Sequence, residues 1–218
     1  QKLHFRQLFK ILELMGYSWA KNCVHVDHGL YLDQDGKKFA TRKGKTVFME
    51  EILHETINLA KEEIKKRYDK ISEKEVTERA SKIAIAAIFY GDLKNYRSHD
   101  MIFDINRFLS FEGDTGPYLL YSYARAKCIL RKAKTSNKKN KLEINQINER
   151  EKRLISELGK FPNVVEHAYE NLAPNLIANY AFELAQTFNE FYHASHVIGS
   201  EQEDFRLKLV SGFAQVLK

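Results

Sequence analysis

The sequence predicts a mainly α-helical protein, with a few short strands near its start and an all-α bundle over its second half. Three observations predict this. The 218 residues contain three prolines and ten glycines, so little interrupts long helices. Apolar residues recur at three- and four-residue spacing through most of the chain, the period of a helix with one buried face. From Pro117 onward no segment alternates convincingly as a strand does.

The elements follow in order. Leu3, Leu8, Ile11, Leu12 and Met15 mark a first helix, closed by Gly16. Cys23 to Leu32 reads as one or two short strands broken at Gly29, and Asp33 to Gly44 as a polar, glycine-bounded loop. Ile52, Leu53, Ile57, Ala60 and Ile64 set a helix across Val47 to Tyr68 with a charged outer face. Val76 to Tyr90, rich in Ala and Ile, reads as a buried helix. Asp92 to Asn106 reads as irregular, with Met101-Ile102-Phe103 as its best strand. Helices are then expected at about 117–133, 148–159, 161–170, 174–193 and 202–218, with Gly159–Pro162 and Pro174 at two junctions. Asp114 or Thr115 suits the cap of the first of these, and Pro117 its first turn.

Composition narrows the function. No apolar run approaches the roughly 18–20 residues of a membrane span. A net charge of +6 and a pI near 9.1 favour a polyanionic partner without requiring one. Two cysteines far apart, Cys23 and Cys128, point to a reducing compartment. No initiator methionine or targeting pattern opens the chain, and its last helical pattern stops uncapped, so both ends read as cuts in a longer protein.

Several groups of residues bear on chemistry. Lys37, Lys38, Arg42, Lys43 and Lys45 crowd one glycine-bounded loop after a strand, as suits phosphate oxygens; from composition alone a solvated hairpin turn is the commoner reading of such a charge run. Cys23, His25, Asp27 and His28 share one extended segment, but such a set rarely completes a tetrahedral metal site. Tyr118, Tyr121 and Tyr123 with Arg125 offer stacking faces for an unstacked base, although helical spacing favours the core for at least two of the three. Phe182, Phe188, Phe191 and Tyr192 read mostly as core, with Asn189, His193 and His196 beside them. Arg131, Lys132, Lys134, Lys138, Lys139 and Lys141 form a cationic run that either binds phosphate without sequence preference or keeps a loop soluble. Glu112 and Asp114 read as caps and ion-pair partners rather than an acid/base pair.

Two of these stretches carry a family resemblance. Phe111-Glu112-Gly113-Asp114-Thr115-Gly116-Pro117-Tyr118-Leu119-Leu120-Tyr121-Ser122-Tyr123-Ala124-Arg125-Ala126 resembles the start of the helical DALR anticodon-binding domain of class I arginyl-tRNA synthetases. Lys37-Lys38-Phe39-Ala40-Thr41-Arg42-Lys43-Gly44 is similar to that family's variant of the KMSKS loop, with Thr41 where the second lysine would stand. Tyr90 to Arg97 resembles the family segment that meets the inner side of the tRNA L.

The resemblance implies a C-terminal remnant of a Rossmann-type catalytic domain over residues 1–75. It implies connecting helices over 76–112 and a DALR-type bundle over 113–218. It implies ATP-dependent attachment of arginine to tRNA(Arg) through an arginyl-adenylate, with Mg2+, in a cytoplasmic and monomeric parent. Lys38, assisted by Arg42 and Lys43, would stabilise the adenylation transition state. His25, His28, Gly29, Lys38, Phe39 and Thr41 would border ATP, and Gln1 and His4 the arginine substrate. Tyr118, Tyr121, Arg125, Lys132 and Asn189 would meet tRNA. The HIGH-type motif would lie before residue 1 and the tail that shapes the anticodon pocket after residue 218, so this chain alone is not expected to activate arginine. The rival readings are a stand-alone RNA-binding module, another class I synthetase such as the cysteinyl enzyme, and a basic helical interaction protein.

Overall fold

A computed structural model describes residues 1–38, 48–68, 70–133 and 147–218. Helix α1 (Lys2–Leu14) is followed by Gly16 at φ 90° and by a 3-10 turn at Ser18–Asn22. The chain then runs extended to β1 (Tyr31–Leu32). Next come α2 (Met49–Arg67), α3 (Glu73–Leu93), β2 (Met101–Ile102) and the single turn α4 (Ile105–Phe108). The bundle is α5 (Gly116–Ala133), α6 (Glu149–Gly159), α7 (Phe161–Glu170), α8 (Asn175–Ala194) and α9 (Glu203–Val216).

Local chemistry starts the helices, and in α3 it does so at Glu73, three residues ahead of the expected Val76. Ser72 Oγ accepts the Glu75 N–H of α3 at 3.2 Å. Asn148 and Glu151 cap α6 reciprocally, at 2.9 and 2.8 Å. Of the two candidates at α5, Thr115 is the cap, its Oγ1 taking the Tyr118 N–H at 3.3 Å. Asp114 instead turns to α3, where it meets the Tyr90 hydroxyl and, at 3.1 Å, Lys94 Nζ. Burial, then the Asp114 carboxylate, pushes the Tyr90 phenol well above the ordinary tyrosine range.

Two cores result. Ala60 and Ile64 of α2 pack on Val76, Ala80 and Ala87 of α3, with Met101, Phe108 and Leu109 closing the end. The larger core joins α5, α6, α8 and α9 through Leu154, Leu184, Phe191 and Val210, with the Phe188 and Phe213 rings stacked at 3.8 Å. Gly116 lets α5 approach α3 so closely that a Cβ there would lie 2.1 Å from the Ala86 carbonyl oxygen.

The strands depart from expectation. Tyr31–Leu32 is the only strand in the 23–32 stretch, and it pairs in parallel with Met101–Ile102. Residues 23–30 are extended and alternate half-buried with exposed, yet their outward side chains Val24, Val26 and Leu30 meet solvent. The alternation is that of a strand, and its pairing begins only at Gly29, whose N–H meets the Arg97 carbonyl oxygen. Gly29 marks a close approach, since a Cβ there would sit 2.0 Å from the His99 carbonyl oxygen.

Candidate nucleic-acid interface

A cleft of about 950 Å3 opens between the C-terminal half of α2, the 106–112 turn, and helices α5 and α8. Tyr118, Tyr121, Arg125 and Asn189 line it together, although α5 and α8 lie far apart in sequence. Tyr121 and Arg125 share a face because they are four residues apart on α5. Tyr118 falls on the adjoining turn, and packing through the larger core brings α8 alongside.

Hydrogen bonds hold these side chains. Asn189 is 9% exposed, and its Nδ2 donates to Tyr118 Oη and Ser122 Oγ, both at 2.9 Å. Its Oδ1 accepts from the Arg125 guanidinium, which also donates to Tyr121 Oη at 2.8 Å. The guanidinium lies between two rings, 4.6 Å from the Tyr121 centroid and 4.7 Å from that of Tyr192. Tyr121 is 51% exposed and turns a ring to the cleft.

On the other wall, Arg67 of α2 lies 4.4 Å over the Phe111 ring. Lys66 and Arg67 there face Glu62, Glu63 and Glu112. The Lys66 ammonium, 2.7 Å from Glu63, holds that carboxyl below the usual range. The cleft is therefore balanced in charge and rich in π-faces and donors, which suits an unstacked base more than a bare phosphate chain.

The candidates divide by place. Asn189 is an organiser with its polar atoms spent on protein partners, and Lys132 sits on the last turn of α5 outside the cleft lining. Tyr123 is half-buried against the larger core. Tyr192, Arg67 and Phe111 join the cleft surroundings without having been singled out for it. The four-residue spacing Phe188–Tyr192, on the face of α8 that carries Asn189, was the available signal for Tyr192; none marked the α2 wall.

The residues expected at ATP lie elsewhere. His25 stacks on Phe5 of α1 at 4.1 Å, and Lys2 pairs with Asp27 at 2.5 Å. That bond to Lys2 keeps the Asp27 carboxyl below the usual range. Gln1 and His4 are exposed on the same helix end. His28 and Gly29 line a 140 Å3 cleft with Tyr96, Arg97, His99 and Pro174. Lys38 bridges back to Leu32 beyond a turn in which Asp33 Oδ1 accepts the Lys37 N–H at 2.8 Å. Phe39, Thr41, Arg42 and Lys43 lie outside the described residues, as do Lys134, Lys138, Lys139 and Lys141. Among the described residues no three His, Cys, Asp or Glu side chains are grouped to hold a metal, and no helix is long and apolar enough to cross a membrane.

Comparison with known proteins places both halves. The profile described as "tRNA synthetases class I (R), catalytic domain" matches residues 1–105, and that of the "DALR anticodon binding domain" matches residues 119–218. An arginine–tRNA ligase of Clostridium perfringens is 41% identical over all of this chain. The chain belongs to the arginyl-tRNA synthetase family. It spans 39% of the length of that Clostridium relative, and 38% of an arginine–tRNA ligase of Bacillus anthracis with which it is 38% identical. Among solved arginyl-tRNA synthetases, that of Thermus thermophilus superposes with a TM-score of 0.82 at 28% identity, over 94% of this chain and 35% of its own. That of Plasmodium falciparum gives 0.79 at 25% identity, over 99% and 36%. The fold expected from the arginyl-tRNA synthetase resemblance, mostly helical with a small strand remnant, is the fold found.

Proposed function

We propose that this chain is the anticodon-side part of an arginine–tRNA ligase, whose whole attaches arginine to tRNA(Arg) at the expense of ATP. The observation that carries the proposal is the convergence of Tyr118, Tyr121 and Arg125 on one cleft, with Tyr192 stacked on Arg125 and Asn189 fixing the set. An unpaired anticodon base would stack on Tyr121, and the spare donors of Arg125 would meet its edge or a neighbouring phosphate. Because the network exists before RNA arrives, little ordering opposes binding.

The remaining assignments rest on the same reading. Residues 1–75 belong with the catalytic domain, 76–112 connect, and 113–218 form the bundle. His25, His28, Gly29 and Lys38, with Phe39, Thr41, Arg42 and Lys43 of the loop beyond, serve ATP. Gln1 and His4 serve arginine. Arginine would react at the α-phosphate of ATP, releasing pyrophosphate, and the adenylate would pass its arginyl group to the tRNA. Lys38 would stabilise charge on the phosphates as it develops. Mg2+ would arrive on the nucleotide's phosphates. The solvent-facing Leu3, Ile11, Leu14 and Trp19 of the first elements, with the exposed Val24 and Val26, support a seat for further catalytic-domain structure.

The test is binding of arginine tRNA and of an unrelated tRNA across a salt series, with Tyr121→Ala and Arg125→Ala alongside. Preference for the arginine tRNA that survives moderate salt is expected. Tyr121→Ala should cost about 1–3 kcal/mol, the usual value of one stacked base. Equal, salt-labile binding of both tRNAs, or no effect of either substitution, would refute the proposal.

A further inference from the structure

Arg97 touches both halves of the molecule at once. Its carbonyl oxygen accepts the Gly29 N–H at 2.7 Å. From there the pairing runs on: Leu30 N–H to Asp100 Oδ1 at 2.7 Å, Met101 N–H to the Leu30 oxygen at 2.8 Å, and Phe103 N–H to the Leu32 oxygen at 2.9 Å. The segment so gripped leads through β1 into the basic loop. The Arg97 side chain points the other way, its Nη1 donating to the carbonyl oxygens of Leu172 at 2.7 Å and Asn171 at 3.1 Å. Those two carbonyls lie in the α7–α8 turn, where Leu172 holds a φ of 48°. A non-glycine residue keeps that conformation where its neighbours hold it, and the guanidinium is one such neighbour. The Arg97 Nε–H is buried and meets no protein acceptor among the described residues, so the group is withdrawn from water for the sake of these contacts.

We propose that Arg97 is a positioning residue that ties the α7–α8 turn of the bundle to the strand entering the basic loop, so that RNA seated on the bundle biases the placement of that strand. The part concerning RNA rests on the function proposed above. A guanidinium suits the task because its Nη1 carries two N–H bonds held rigidly in the guanidinium plane, and both carbonyls are met from that one nitrogen, whereas an ammonium turns freely on its stem. Charge-assisted bonds of this kind are about twice as strong as neutral ones, enough to make the two attachments open together.

The test is amide hydrogen exchange on the 218-residue chain as wild type, Arg97→Ala and Arg97→Lys, free and with a synthetic arginine-tRNA anticodon stem-loop. In the free chain, Arg97→Ala should speed exchange about tenfold at Gly29 and Leu30 as well as at Leu172 and Ala173, since exchange reports local opening. Arg97→Lys, which keeps the charge and loses the rigid planar donor, should shift the same amides less. With the stem-loop bound, wild type should gain protection at residues 29–32, and Arg97→Ala should lose that gain while keeping its affinity for the stem-loop. A merely structural role would leave the RNA-dependent gain in place. Wild-type exchange at Gly29 and Leu30 in both variants would overturn the proposal, whatever RNA does. So would weakened stem-loop binding with a salt slope lowered by about one and unchanged exchange, the sign of a direct phosphate contact. Failure of the wild-type chain to bind the stem-loop would instead refute the function proposed above, while the free-chain comparison would still decide the role of Arg97 as a tie.

Discussion

Replacing Asn189 by alanine is expected to weaken the fold and the cleft together. Its amide makes two neutral hydrogen bonds, to Tyr118 and Ser122, and one to the charged Arg125. Neutral bonds are worth about 0.5–1.5 kcal/mol each and bonds to charged groups about 1.5–3 kcal/mol. Ser122 keeps its bond to the Tyr118 carbonyl at 2.9 Å, and Arg125 keeps the Tyr121 hydroxyl and both rings, so the low end of each range applies. The loss is then about 2–3 kcal/mol. In a chain of this size that lowers the melting temperature by about 4–12 °C. Thermal melts read it directly, and the same variant should bind arginine tRNA more weakly because Tyr118 and Arg125 each lose the partner that joins them. Asn189→Asp, which keeps the acceptor for Arg125 but loses both donors, should fall between. A loss below about 0.5 kcal/mol with intact RNA binding would refute the reasoning, since the amide would then hold nothing that water does not.

Other expectations are as direct. Gly116→Ala should cost more than about 3 kcal/mol or abolish folding, because its Cβ meets backbone that cannot yield; near-wild-type urea unfolding would contradict this. Tyr31 and Tyr180 are both pushed up to about 12, chiefly by burial, with Asp92 second for the former and Glu157 for the latter. Their folded values exceed the ordinary value of 10, so the stability they lend is complete below pH 10 and lost as pH rises towards 12. Stability should fall across that window, and less steeply in Tyr31→Phe and Tyr180→Phe; phenolate absorbance titration checks the two values. Gly29→Ala should part the 23–32 segment from the turn at His99, visible as faster exchange at the Met101 and Phe103 amides with the bundle amides unchanged.

The helices were legible because each carries its signal locally. Gly16, Thr115 and Pro174 mark ends by their own chemistry, and the apolar period marks the faces between. The parallel pairing of Tyr31–Leu32 with Met101–Ile102 was not, because two residues per strand carry no period and the partner lies 70 residues away. Nor was the one-turn helix at Ile105–Phe108, too short for a period although Asp104 caps it. At the cleft, the family resemblance singled out Tyr118, Tyr121 and Arg125, and spacing favoured the core for at least two of the three tyrosines. The structure leaves Tyr121 half out and tucks Tyr118 and Tyr123 partway in. The organising role of Asn189 and the wall built by Arg67 and Phe111 depend on tertiary packing, which no local pattern encodes.

The two walls of the cleft have different origins. Tyr118 of α5 and Asn189 of α8 come from beyond residue 112, whereas Lys66, Arg67 and Asn106 come from before it. A bundle grafted onto a foreign scaffold would carry the tyrosines and leave the opposite wall behind. Chimaeras that exchange this region between relatives should therefore be cut ahead of α2, because a seam at residue 112 would run through the cleft.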